Sequence, residues 1–298
     1  MWSFDVRFGD GTTQQLVLRR DPAGHQMQTS RRLEFALLEA AAGAGVVVPR
    51  VRWCEDDGAA LGMPFFVMDF VAGETLARRL LRDAEYAEAR RALPADLARA
   101  LARIHRMPLD APGFDALARP DAGASPAASE LARYEQIFRA VSPDPHPALE
   151  LAFRWLARRT PAPSSLTVVH GDFRVGNVIF GPEGLRAVLD WELAHVGDPM
   201  EDVGWLCVRS WRFGADDRPA GGLTSREDFL ALYAREAGIA PDPEAVRWWE
   251  VFGNLKWAII CILQANSFLV GGVQNVELAS LGRRIVEMEL ELLELTEG

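Results

Sequence analysis

Apolar and polar positions alternate at the start of the chain, with Trp2, Phe4, Val6 and Phe8 on one side and Ser3, Asp5 and Arg7 on the other. A period of two is the mark of a strand, and Gly9-Asp10-Gly11 supplies turn residues. Residues 2–8 and 14–20 are therefore expected to pair as a hairpin. In the second strand Gln15, Val17 and Arg19 share one face, and Leu16, Leu18 and Arg20 share the other. Thr29-Ser30 is a good N-cap for an amphipathic helix over residues 31–38, and Gly43-Ala44-Gly45 reads as its stop. Two more strands are expected at 51–55 and 64–70, separated by the polar turn Glu55-Asp56-Asp57-Gly58.

Beyond residue 71 the pattern turns helical. Leu97, Leu101 and Ile104 are spaced for one apolar helix face ending near His105-Arg106-Met107-Pro108, where His105 is most simply a packed or capping residue. Residues 110–128, rich in Pro, Ala and Gly, read as a mobile surface loop. Further helices are expected at 129–141, 148–159, 201–212, 225–236, 244–269 and 276–294. One β interruption breaks this run: a short β-branched strand at 166–169, a polar loop with two glycines at 170–176, and a hairpin built from 178–180, Gly181-Pro182-Glu183-Gly184 and 185–189. Strands early and helices late make an α+β chain.

That interruption carries the candidate chemistry. Asp172 lies in the loop, Asn177 follows five residues later and Asp190 ends the second hairpin strand. Singly, each has an ordinary reading: an Asp in a loop is a turn former, an Asn before a strand is a local cap, and Asp190-Trp191-Glu192 could be a strand end. Together they supply what phosphoryl transfer needs, a carboxylate to orient and deprotonate a hydroxyl and hard oxygen ligands for Mg²⁺.

The pattern HGDxxxxN followed by a hydrophobic residue and Asp-Trp resembles the aminoglycoside phosphotransferase family, small-molecule relatives of protein kinases that include choline and homoserine kinases. Gly197-Asp198-Pro199-Met200-Glu201-Asp202 stands where that family carries GDPxxD. The resemblance implies a kinase-like fold of two lobes, a small β-rich one over residues 1–71 and a larger, mainly helical one over 72–298. It implies Asp172 as catalytic base, Asn177 and Asp190 as Mg²⁺ ligands, and His170 as a structural residue of the loop. Asp198 and Asp202, four apart, are read as structural, bracing that loop. Glu192 is read as no more than part of the strand end, and His195 as a surface or packing histidine.

For the nucleotide, the resemblance places Val17 against adenine and Arg19 at the phosphates, with Glu34 as the helix carboxylate pairing with that cation. Backbone groups of Asp69 and Val71 would meet the adenine edge, with Met68 behind it. The family uses lysine where Arg19 stands, but this chain has a single lysine, Lys256, expected far away in a C-terminal helix. Arginine's planar fork suits phosphate oxygens, though its reach and geometry differ. Similar LRR or LRK sequences occur in the kinase-like domains fused to acyl-CoA dehydrogenases. Kinase-like folds also cover the phosphates with a glycine-rich loop; residues 1–8 contain no glycine, and the chain is expected to begin inside the second strand, without that loop.

The resemblance implies two partners, a nucleotide, ATP with GTP as the alternative, and a small hydroxyl acceptor; charge and composition bear only on what is excluded. A net charge of −10 disfavours nucleic acid and anionic membrane, and no apolar run reaches the roughly twenty residues of a spanning helix. Three widely separated cysteines and no leader pattern fit a reducing cytoplasm. The tryptophans near the C-terminal helices are core by default and weakly favour an acceptor with an apolar portion. Two rival readings remain at this stage: a catalytically silent kinase-like binding module, and an iron enzyme using His170, Asp172 and a distant histidine.

Overall fold

A computed structural model describes residues 1–20, 30–142, 144–162, 165–271 and 275–297. Thr29, half of the expected cap, lies outside the described residues. The other half holds: Ser30 accepts a hydrogen bond from the Leu33 N–H at the start of α1 (Arg31–Gly43). Gly45 follows that helix with φ +80°, the left-handed conformation that ends a helix cheaply only at glycine.

Strands from residues 2–69 form a four-stranded antiparallel sheet in the order β1 (Trp2–Arg7), β2 (Thr13–Arg20), β4 (Phe65–Asp69), β3 (Val51–Glu55). Its hairpin register pairs Trp2 with Leu18 and Arg7 with Thr13, as the alternation requires. Leu33, Leu37, Leu38 and Ala41 of α1 are buried, so the helix is held by one apolar face.

The rest is mainly helical, and its core is continuous with that of the sheet and α1: α2 (Ala77–Arg82), α3 (Ala87–Ile104), α4 (Pro126–Val141) and α5 (Pro147–Arg158), then α6 (Met200–Cys207), α7 (Arg226–Ala237), α8 (Pro243–Leu269), α9 (Val276–Leu281) and α10 (Ile285–Thr296). Trp248, Trp249 and Phe252 of α8 pack fully buried with ring centroids 4.9–5.7 Å apart. Between α5 and α6 stand two small sheets, β5 (Thr167–Val169) with β8 (His195–Gly197), and the hairpin β6 (Val178–Gly181) with β7 (Gly184–Val188). No helix among the described residues is long and apolar enough to cross a membrane.

Several expectations need correction. The helix expected over 201–212 stops at Cys207, and Arg212 turns back to donate to the Cys207 carbonyl at 2.8 Å. The helix expected over 276–294 is broken by a tighter turn at Gly282–Arg284. Residues 110–128 are no free loop: Phe114 and Leu117 are buried, and Pro126 already opens α4, capped by Ser125. Strand β8 was not expected, since His195-Val196-Gly197 has one β-branched residue where β5 has three.

Candidate active site

Strand β5 delivers the chain into the loop 170–176, and the backbone there is held from beneath. Asp202, fully buried in α6, accepts from the N–H groups of His170 at 2.8 Å and Gly171 at 2.9 Å, and bonds His105 Nε2 at 3.1 Å. Burial disfavours its charge, yet these donors hold the carboxyl below the usual range. Asp198 accepts from the Met200 N–H at 2.9 Å at the entrance to α6.

His170 is buried, and burial pushes its pKa down, so the ring is neutral. Nε2 bonds the Leu189 carbonyl at 3.0 Å, and Nδ1 accepts from the Asp172 N–H at 3.3 Å. Both nitrogens being engaged, His170 has no lone pair for iron, and the iron reading fails on geometry. It ties the Asp172 loop to the residue before Asp190.

Asp172 and Asn177 meet directly. The Asn177 amide nitrogen donates to Asp172 Oδ2 at 2.6 Å and to the Asp172 carbonyl at 3.0 Å. The Leu189 N–H donates to the Asn177 carbonyl at 2.8 Å, placing Asn177 beside the end of the β6–β7 hairpin. Asp190 itself has φ +67°, an uncommon conformation outside glycine that directs the chain sharply after β7.

Asn177 and Asp190 line a cavity of about 470 Å³ whose other walls include Val17, Arg19, Glu34, Met68, Asp69 and Val71. Arg19 spans it: Nε lies 2.7 Å from Glu34, and Nη2 lies 3.2 Å from Glu192 and 3.6 Å from Asp190. Burial opposes its charge, but these three carboxylates keep the guanidinium protonated beyond its ordinary range. Burial raises the Glu34 carboxyl, against the pull of Arg19 and of Arg31, which also bonds it. At the cavity's edge the Asp69 N–H is used by Arg50 O at 2.8 Å and the Phe70 N–H by Gln15 O at 3.2 Å. The Asp69 side chain pairs with Arg52 at 2.6 Å.

Three residues near the site, Glu192, Arg174 and Lys256, were misjudged or missed. Glu192 is no mere strand end, since it reaches Arg19. Arg174, two residues after Asp172, places Nε 3.0 Å from Asp172 Oδ1 and stacks 4.7 Å over Trp211. Lys256 is not remote: its ammonium bonds the Gly171 carbonyl at 3.0 Å. Of the two readings of His195, surface or packing, packing holds: it is buried against Glu201 at 3.1 Å. His195, Glu201 and Glu130 bring ligand atoms within 4.8 Å of one another, but Lys256 and Arg133 already neutralise them. The D-x-R spacing was visible in the sequence; the place of Lys256 depends on helix packing alone.

Residues 2–249 match the model of the phosphotransferase enzyme family known as APH. The chain belongs to this family. Acyl-CoA dehydrogenase family member 10 from Mus musculus is 31% identical over 80% of the chain, and a probable acyl-CoA dehydrogenase from Arabidopsis thaliana is 28% identical over 99% of it. The chain spans only 23% and 38% of those two proteins. Among solved structures, a putative aminoglycoside phosphotransferase from Ralstonia eutropha superposes with a TM-score of 0.78 at 23% identity, covering 99% of this chain and 89% of that one. A choline/ethanolamine kinase family protein from Mesorhizobium loti gives 0.64 at 19%, covering 97% and 88%. At these identities the likeness establishes the fold: this phosphotransferase family member is kinase-like, with a small antiparallel sheet and a larger helical part.

Proposed function

We propose that this chain is a small-molecule kinase that transfers the γ-phosphoryl group of ATP, or of GTP, to a hydroxyl of a small metabolite or antibiotic. One observation carries the reading: the 2.6 Å bond between Asn177 and Asp172, made beside the cavity that Asn177 shares with Arg19, Glu34 and Asp190. In it, Asp172 orients the acceptor hydroxyl and takes its proton. The amide nitrogen of Asn177 is committed to Asp172, so its Oδ1 and the Asp190 carboxylate are the hard oxygen donors left for Mg²⁺. When bound, that ion supplies charge neutralisation across the phosphates. Arg19, braced by Glu34, does the work of the family's lysine, and Arg174 adds a second cation beside Asp172. Met68 backs the base, while the Asp69 carbonyl and the Val71 N–H are the groups suited to its edge, because the amides of Asp69 and Phe70 are already used.

In this reading residues 1–71 cover the nucleotide and residues 72–298 carry the catalytic and acceptor groups, with His170, Asp198 and Asp202 holding the loop. A nucleotide-rich, reducing cytoplasm suits this work. The test is an acceptor screen reading ADP release with Mg²⁺ and ATP, run beside Asp172→Asn. Release that depends on an added alcohol and is lost in the variant supports the reading. Release that survives Asp172→Asn would falsify the assigned base.

A catalytically silent kinase-like nucleotide- or ligand-binding module is favoured by one fact: Arg19 is engaged by three carboxylates. Calorimetric titration with Mg²⁺·ATP separates the two, since no heat and no thermal shift would favour the silent module.

A further inference from the structure

Lys256, the chain's single lysine, is 1% exposed on α8. A buried ammonium is tolerated only when its donors are met. Here one goes to Glu201 Oε1 at 3.2 Å and another to the Gly171 carbonyl at 3.0 Å, while Nζ stands 4.8 Å from the centre of the Trp205 ring. Gly171 is the residue before Asp172, and the Trp205 indole N–H donates to Asp172 Oδ1 at 2.8 Å. One buried charge thus touches both the peptide that carries Asp172 and the ring that bonds its carboxylate.

The ring has little freedom of its own. Trp211 lies 5.3 Å away, and a Cβ on Gly253 would come within 3.3 Å of Trp205 Cε3. The carboxylate, by contrast, turns on a broad terminal torsion and needs fixed donors to hold its plane. Oδ2 has Asn177; Oδ1 has Trp205 and Arg174. Arg174 is a cation with a quarter of its side chain exposed, and an incoming phosphoryl group would compete for it. Trp205 is neutral, packed and 2% exposed, so its bond to Oδ1 does not face that competition.

We infer that Lys256 and Trp205 are positioning residues for Asp172, the lysine acting through the ring and the Gly171 peptide to fix the carboxylate that meets the acceptor. The inference rests on the kinase reading above. Lys256 touches no reacting atom in it, so its effect belongs to turnover and not to nucleotide affinity.

Two variants test this, Lys256→Met, which keeps the stem and removes the charge, and Trp205→Phe, which keeps an aromatic ring and removes the N–H. Each is expected to lower kcat by about 10²-fold, the scale of a misplaced catalytic group, with KM for ATP within about twofold of the parent. Because both act on one carboxylate, the double variant should be no worse than the poorer single one. A folded Lys256→Met with the parent's kcat, or losses that multiply in the double variant, would overturn the inference. Should Lys256→Met not fold, the full chain labelled with ¹⁵N-lysine gives one ammonium signal. That signal should shift in Trp205→Phe and hold in Arg174→Gln; no shift in Trp205→Phe would also overturn it. If the parent transfers phosphate to no acceptor, the kinase reading fails, while the ammonium signal still reports on the clamp.

Discussion

Arg19 on β2 and Asp190 after β7 stand 3.6 Å apart across the cavity, joining the four-stranded sheet to the end of the β6–β7 hairpin through one guanidinium. Arg19 also reaches Glu34 and Glu192, three directions that a single ammonium cannot span. Arg19→Lys, which restores the family's usual residue, is expected to weaken nucleotide binding about 10- to 100-fold, the equivalent of about 1.5–3 kcal/mol of charged hydrogen bonding. Nucleotide titration checks it; unchanged affinity would show that lysine fits a pocket built for arginine.

Asp190 combines a metal-ligand candidate with a left-handed backbone, and two variants separate these properties. Asp190→Ala and Asp190→Gly should both lose Mg²⁺-dependent transfer. The glycine variant should be the more stable of the two by about 1–2 kcal/mol, because only glycine adopts that conformation without a Cβ clash. Urea unfolding of the pair measures the difference.

Much of this was legible before any coordinates. Most of the order of strands and helices and the Ser30 cap follow from alternation and turn residues, whereas the gathering of Arg19, Glu34, Met68, Asp69, Val71, Asn177 and Asp190 around one cavity was legible only through the family resemblance. Asp172 with Asn177 follows too, since five residues of loop and one tight turn leave them little choice but to meet. What escaped was non-local. Trp205 looked like core because its ring is core; only its indole edge reaches Asp172. Lys256 looked remote because it stands 85 positions after Gly171, and no periodicity reports which turn of a long helix will pass beneath that peptide. The breaks at Cys207 and Gly282 went unseen because helix-forming residues continue through both.

Asp202 offers a test of loop bracing. Its removal leaves the N–H groups of His170 and Gly171, and the His105 ring, facing an interior without an acceptor. Asp202→Ala is expected to cost about 3–5 kcal/mol of stability, the scale seen when one partner of a buried polar pair is deleted. Denaturant midpoints give the value, and a loss below about 1 kcal/mol would mean the loop is held elsewhere.

The buried pair His195 and Glu201 predicts a pH profile. Burial alone would lower the histidine, but Glu201 at 3.1 Å raises it from 6.5 to about 9. Burial alone would raise the glutamate, but His195 and Lys256 lower it from 4.5 to about 2. The histidine's contribution is complete below its unfolded value near 6.5 and fades as pH climbs through 9; the glutamate's is complete above 4.5 and fades as pH falls through 2. The melting temperature should therefore decline between pH 6.5 and 9, and His195→Gln should flatten that decline. A parent that melts at one temperature across the interval would show the pair to be uncoupled from folding.

The burial of Lys256 has a practical corollary. With every other side-chain cation an arginine or a histidine, amine-directed reagents meet no accessible lysine, so biotin esters or aldehyde cross-linkers can attach only at the backbone amino terminus while the fold holds. Unfolding uncovers a second amine beneath the active loop, and mass-resolved labelling would then count open molecules one by one.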